Sequence, residues 1–281
     1  MINVAILGVD SSHTNCFGDL IQNNNLFNKK MSLACIWGED YQQALQKAQE
    51  IGCPKVAKSY NEAIECSDAI MVLGRFSESH LEPGLAAIRS KKPTFIDKPL
   101  VDSFLHAKKL RDESLVYGTP IMSCSIYRLS RAVQECKEFI AGRKVLGAYL
   151  TGPRYCLDLG DDPRFRDIFF YGVHLVEIFL AIFGANCIPE GKVVRDDYLL
   201  GHIECGNAFM THLNFLSRLQ TEFYHVHIVT ESGILDREIR YEEDLYEKVL
   251  DVVFNFFKTG NEIFQIEETV KGIELLDFLK L

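Results

Sequence analysis

Ile2-Asn-Val-Ala-Ile-Leu-Gly8-Val-Asp-Ser-Ser-His13 opens the chain, and its reading decides the fold. Residues 2–8 form a short apolar run ending in glycine, as a strand buried on both faces does. Asp10, Ser11 and Ser12 are helix-capping residue types, and the spacing predicts a helix from there to about Asn25. The same strand–turn–helix unit recurs downstream. Met31–Trp37 reads as a strand and Tyr41–Ile51 as a helix stopped by Gly52; residues 59–66 read as a short helix and 68–73 as a strand. Residues 78–90 read as a helix and 93–96 as a strand halted at Asp97-Lys98-Pro99, with a further helix over 103–116. Strands separated by helices imply right-handed crossovers and a parallel sheet. The expectation is an α/β protein whose residues 1–120 form a doubly wound, Rossmann-type domain.

The rhythm changes after Pro120. Strand-like runs at 121–125 and 147–152 bracket a helix over 130–142, and an apolar helix surrounds His174. Runs at 198–204, 208–215, 222–230 and 234–240 then follow with no helices between them, which predicts a mostly antiparallel sheet. In one of these, Tyr224, Val226 and Ile228 alternate with His225 and His227. Helices at Leu245–Thr259 and Ile266–Leu279 close the chain. Residues 121–281 are thus expected to form an α+β domain, joined without a Gly/Ser-rich linker.

Composition limits the function. The net charge is −9 and the chain has no dense Lys/Arg run with interleaved aromatics, which argues against nucleic acid. Nine cysteines without a C-x-x-C pair read as reduced thiols in a cytoplasmic protein. No secretory leader pattern is visible. Residues 168–187 are apolar enough to invite a membrane reading, but His174 and Glu177 fall within the stretch and no basic cluster follows it, so a buried helix is expected and a membrane partner is not. His225 and His227 share a strand face, but no third ligand at diagnostic spacing supports a metal, and none is expected.

A turn from strand to helix, such as Gly8-Val-Asp-Ser-Ser-His13, presents backbone N–H groups and a positive helix end to a pyrophosphate. The usual three-glycine spacing is reduced here to Gly8, with Asp10 and His13 in the other two places. The plain alternative is a helix cap by Asp10 or Ser11. At the end of the second strand a ribose-binding carboxylate is usual. That position falls on Gly38, with Glu39 next and Asp40 a candidate helix cap.

Asp68-Ala-Ile-Met-Val-Leu-Gly74-Arg75-Phe-Ser77-Glu-Ser-His80, followed by Phe95-Ile-Asp97-Lys98-Pro99, resembles a strand and its histidine turn, then the Glu-Lys-Pro motif, of the glucose–fructose oxidoreductase / inositol dehydrogenase (Gfo/Idh/MocA) family. Tyr171-Gly-Val-His174-Leu-Val-Glu177 is similar to that family's Gly-x-His-x-x-Asp, and Ile126-Tyr-Arg128 fits its place after a strand. The resemblance implies an NAD- or NADP-dependent oxidoreductase acting on a sugar, cyclitol or related polyol. It implies that Lys98 contacts cofactor and substrate, and that His174 accepts the proton of a substrate hydroxyl. Gly8, Asp10, Ser11, Ser12, His13, Glu39, Gly74, Arg75, Ser77, His80, Asp97 and Pro99 would then line the cofactor. Arg128, Arg154, Tyr155 and Glu177 would border a small-molecule substrate, with Glu177 orienting the His174 ring. A homo-oligomer formed through the C-terminal sheet is also implied. Phe170 stands where many members carry Asp. The altered glycine turn and Phe170 leave a second reading, a non-catalytic relative used for binding or assembly. A lyase or hydrolase holding NAD tightly is a third.

Overall fold

The computed structural model describes residues 1–157, 159–160, 162–206 and 208–280. The chain forms two compact units: Met1–Cys124 with Tyr246–Ile266, and Ser125–Leu245 with Glu267–Leu281.

The first unit is built on β1 (Ile2–Leu7), β2 (Met31–Trp37), β3 (Ala69–Val72), β4 (Thr94–Ile96) and β5 (Ile121–Met122), all parallel, in the order β2-β1-β3-β4-β5. Helices α1 (Ser12–Asn23), α2 (Tyr41–Ile51), α3 (Tyr60–Glu65), α4 (Leu81–Arg89) and α5 (Phe104–Tyr117) make the crossovers. Val4 to Leu7 and all four residues of β3 are buried, as sheet covered on both faces requires. α1 buries Thr14, Phe17, Gly18 and Ile21 at helical spacing. A Phe or Ile buried this completely contributes about 1.5–3 kcal/mol. From β1 the chain runs first to β2 on one side and then back to β3 on the other, so the winding direction reverses between β1 and β3. Ligands of doubly wound sheets bind beyond the strand ends at such a point.

Beyond β2 the sheet has, among the described residues, only a single parallel bridge, Ile36 to Val56. Pro54 withholds a donor and the apolar run around Val56 is too short for a strand. The run over 68–73 thus supplies the third strand, β3.

The second unit carries α6 (Arg131–Ile140), β6 (Val145–Pro153), α7 (Ile168–Phe183), β7 (Cys187–Val194), β8 (Tyr198–Cys205), β9 (Phe209–Leu216), β10 (Tyr224–Thr230) and β11 (Gly233–Ile239). Its six strands run β11-β10-β6-β9-β8-β7; β6 and β9 are parallel and every other pair is antiparallel. Tyr224, Val226 and Ile228 are buried, and His225 and His227 lie on the other face. β7 has no counterpart in the sequence reading. Its register shifts between Pro189 and Gly191, and that irregularity breaks the alternation that marks a strand.

α7 is buried on almost every side because it packs on β6, β9 and α6. It ends at Gly184. Among the described residues no helix is long and apolar enough to cross a membrane.

A single boundary at residue 120 does not describe this division. The chain leaves the first unit after Cys124, re-enters it at Tyr246 for most of the helix Leu245–Thr259, and ends in the second unit with the helix Ile266–Leu279. Phe17 of α1 meets Tyr246 edge-on at 5.4 Å, which shows what the returning segment buries.

Candidate functional site

Gly8 follows β1 with φ at +101°, a conformation side chains resist. A Cβ there would lie 2.4 Å from the Gly74 nitrogen, so the ends of β1 and β3 approach as closely as backbone can. Ser11 caps α1, its hydroxyl accepting the His13 N–H at 3.2 Å. Thr14 donates its hydroxyl to the Gly8 carbonyl at 3.0 Å. The N–H groups of Ser11 and Ser12 have no partner among the described residues and stand at the positive end of the helix.

The two residues in glycine's usual places both reach across to neighbouring turns. The Asp10 carboxylate accepts the Arg75 N–H at 3.1 Å, and Arg75 Nε donates to the Asp10 carbonyl at 2.7 Å. His13 Nδ1 lies 2.6 Å from Asp97 Oδ2. The His13 ring meets Tyr246 edge-on at 5.3 Å. Asp97 is only 4% exposed. Burial pushes its carboxyl up, but the charge and hydrogen bond of His13, with Lys98, outweigh burial and hold it below the usual carboxylate range.

A cavity of about 190 Å³ opens beyond the ends of β1, β2 and β3. Its walls include Gly8, Asp10, Trp37, Glu39, Asp40 and Gly74. That volume is below the ~300–1,000 Å³ of a whole-ligand pocket and suits one part of a larger ligand, such as a nucleoside. Asp40 is committed to capping α2, accepting the Gln42 and Gln43 N–H groups at 2.8 and 3.1 Å. Glu39 is exposed at the rim and is the carboxylate available to a ribose. The displacement by one residue has a steric cause: a Cβ on Gly38 would lie 2.4 Å from Val9 Cγ2. The glycine cradle, the two amides of α1 and the rim carboxylate fit a dinucleotide. Asp10 is the feature that opposes it, and its carboxylate is engaged with Arg75.

Further along this edge, His80 is wholly buried, with Nε2 2.7 Å from the Gly74 carbonyl oxygen and Nδ1 3.0 Å from that of Pro99. It links the two turns and is not presented to a ligand. Ser77 is buried in the turn between them. Lys98 is half-buried just past β4, and its bond to Pro99 is cis.

In the second unit, His174 sits on α7. Its Nδ1 lies 2.6 Å from Ser125 Oγ, and its ring is met edge-on by Tyr127 at 5.2 Å and Tyr224 at 6.1 Å. Glu177 does not hold this ring nitrogen. Its Oε2 accepts the Ser125 N–H at 3.2 Å and pairs with Arg128 Nε. Arg128, expected beside substrate, is 3% exposed and also pairs with Glu268. Burial disfavours its charge, but the two carboxylates raise its pKa above the ordinary value. Arg128 and Glu177 therefore support the floor under His174. Tyr224 donates to Glu222 at 2.5 Å.

Arg154 borders a separate cavity of about 90 Å³ with Asp167 and Lys280. Tyr155 accepts from Arg218 Nε at 3.3 Å. Phe170 packs edge-on against Phe165 at 4.9 Å. His227 Nδ1 lies 2.8 Å from Asp236, and His225 Nε2 3.7 Å from the same oxygen. Among the described residues no group of three or more His, Cys, Asp or Glu is arranged to hold a metal. Ser125, Trp37 and Tyr127 were not among the sequence candidates; no motif spacing marks Ser125 or Trp37, and Tyr127 lies within the Ile126-Tyr-Arg128 segment without having been singled out.

A doubly wound parallel domain with a glycine-cradled crevice at its switch point defines a nucleotide-binding class. Residues 2–114 match the model of the Gfo/Idh/MocA oxidoreductase family, described as an NAD-binding Rossmann fold. The cofactor of that fold is a nicotinamide dinucleotide, NAD or NADP. No curated protein sequence matches the chain. Among solved structures, a probable dehydrogenase from Thermotoga maritima is similar with a TM-score of 0.80 at 15% identity, over 99% of this chain and 95% of that one. GenD2 from gentamicin A biosynthesis, solved in complex with NAD, has a TM-score of 0.82 at 13% identity, over 98% and 92%. The UDP-N-acetylglucosamine 3-dehydrogenase GnnA from Acidithiobacillus ferrooxidans has a TM-score of 0.76 at 14% identity, over 99% and 96%. At these identities the likeness is one of fold.

Proposed function

We propose that this protein is an NAD-dependent oxidoreductase of a sugar, cyclitol or related polyol. The observation that carries the reading is the cavity at the β1–β3 switch point, with Gly8 against Gly74 on its inner side and Glu39 on its rim. The Ser11 and Ser12 amides hold the pyrophosphate, and Glu39 accepts from the adenosine ribose. A 2′-phosphate would meet the carboxylates of Glu39 and Asp40, which favours NAD over NADP. The bound nicotinamide supplies the hydride acceptor. Lys98 polarises the alcohol oxygen, and His174 takes its proton. The structures of GenD2 and GnnA, which resemble this chain, support a sugar-related substrate.

A panel of polyols and sugars, followed by absorbance of the reduced nicotinamide, tests this reading. Turnover of a panel member, with kcat reduced by about 10²- to 10⁴-fold in Lys98→Ala, is expected. Turnover unaffected by Lys98→Ala removes the lysine from the mechanism.

A second reading, a non-catalytic relative, draws on the Asp10 carboxylate within the phosphate turn and on Phe170 packed where a polar partner is usual. Assembly through the C-terminal sheet belongs to either reading. Asp236, His227, Tyr149, His212 and His202 pair in one row across the face opposite the core. A row of polar, half-exposed side chains on a broad sheet suits contact with a second copy, which light scattering would detect.

A further inference from the structure

Half of the chain's eight histidines lie on the face of the second unit's sheet that is turned from its core. His225 and His227 stand against Asp236. His202 and His212 have, among the described residues, only each other as hydrogen-bond partners. They are directly opposite on the antiparallel strands β8 and β9. Their Nδ1 atoms lie 2.9 Å apart, and the rings meet edge-on at 86°. Two neutral imidazoles touch in this way through one hydrogen, donated by one Nδ1 and accepted by the other. Burial, and then His202, hold the His212 imidazole below its ordinary pKa, so this ring resists protonation.

We propose that His202 and His212 form a two-imidazole chelate for a divalent copper or nickel ion. Neutral imidazole is the form that a metal requires. Metal–nitrogen bonds of about 2.0–2.1 Å that meet at a right angle hold their nitrogens about 2.9 Å apart, whereas a tetrahedral angle needs about 3.3 Å. The observed separation is that of neighbouring corners in the square-planar or tetragonal sphere of copper and nickel, with water in the remaining positions. The ion takes the place of the shared hydrogen. That hydrogen passes through solvent to Nε2 of its own ring, for which no described residue competes, so both imidazoles remain neutral. Each ring swings its lone pair off the line between the nitrogens by a turn about χ2, a soft torsion. The backbones stay in place, because the pairing of β8 with β9 already sets the two positions opposite one another. Glu204 lies two residues along β8 on the same face, and its charge favours a cation. The site involves neither cofactor nor substrate and goes beyond the oxidoreductase reading without resting on it.

Calorimetric titration of the untagged, EDTA-stripped full chain with Cu²⁺ tests this, with electron paramagnetic resonance to count the bound imidazoles. One ion per chain, bound at micromolar concentration by two imidazole nitrogens, is expected. His202→Gln and His212→Gln should each weaken Cu²⁺ binding by at least about 10-fold, since loss of even an outer partner of a metal site costs that much. His227→Gln should leave the binding as it is, which separates this pair from the histidines beside Asp236. Should one glutamine variant at the pair fail to fold, the other decides, and the resonance of the wild type decides without either. Affinity unchanged in His202→Gln and His212→Gln, fewer than two bound imidazoles, or binding at millimolar metal only would overturn the proposal and leave two histidines that merely hold each other.

Discussion

At position 13 an imidazole stands where a dinucleotide turn usually has glycine, and a buried carboxylate answers it at 2.6 Å. Asp97→Asn leaves a neutral amide against that ring, and a loss of about 1–3 kcal/mol in urea unfolding is expected. The pH dependence has a definite sign. The Asp97 carboxyl is held below its ordinary value of 3.8 in the folded chain, so the unfolded chain binds its proton first as pH falls. Its contribution is complete above that value and is lost as pH drops through the lowered one. The melting-temperature difference between wild type and Asp97→Asn should therefore shrink as pH falls below about pH 4. A difference that grows on acidification below about pH 4 would contradict the ion pair. His13 and Asp97 were each legible as site residues, but their contact, 84 positions apart in sequence, was not. Ser125 was illegible for a related reason: a lone serine after a strand has no spacing that announces an imidazole 49 residues on.

Strands and helices were the most legible level, because buried parallel strands are continuous apolar runs and their helices carry caps that can be read directly. Ser11 and Asp40, both cap candidates in the sequence, cap their helices through side-chain bonds, and Ser59 and Ser103 do the same for theirs. The irregular pieces were missed. β7 is broken by its Pro189–Gly191 bulge, and the edge next to β2 shrinks to one bridge at Val56. The turns between elements carry the sharpest mutational expectation. In Gly8→Ala a Cβ must share space with the Gly74 backbone at a φ that alanine resists. A destabilisation of at least about 1–3 kcal/mol in urea unfolding should follow. Weaker binding of NADH, read by fluorescence, should accompany it. Full stability and full affinity in that variant would show that the two strand ends are not held as described.

On the scale of the whole chain, a parallel α/β half followed by a largely antiparallel half could be read from the change of rhythm after Pro120. The return of Tyr246–Ile266 to the first unit could not, since a helix that buries Tyr246 against Phe17 has the same amphipathic pattern wherever it docks. The catalytic proposal depends on one property of this molecule, that a turn with a single glycine still accepts a dinucleotide because Asp10 and His13 are held by Arg75 and Asp97. Thermal unfolding in the presence of NAD⁺, NADH, NADP⁺ and NADPH measures that property directly, because a ligand bound only by the folded chain raises its stability. At about a hundred times Kd, NADH should raise the midpoint by on the order of 5 °C, with a smaller rise for NADPH. No rise with any of the four at millimolar concentration would contradict the account and leave the chain a relative that has kept the fold without the cofactor.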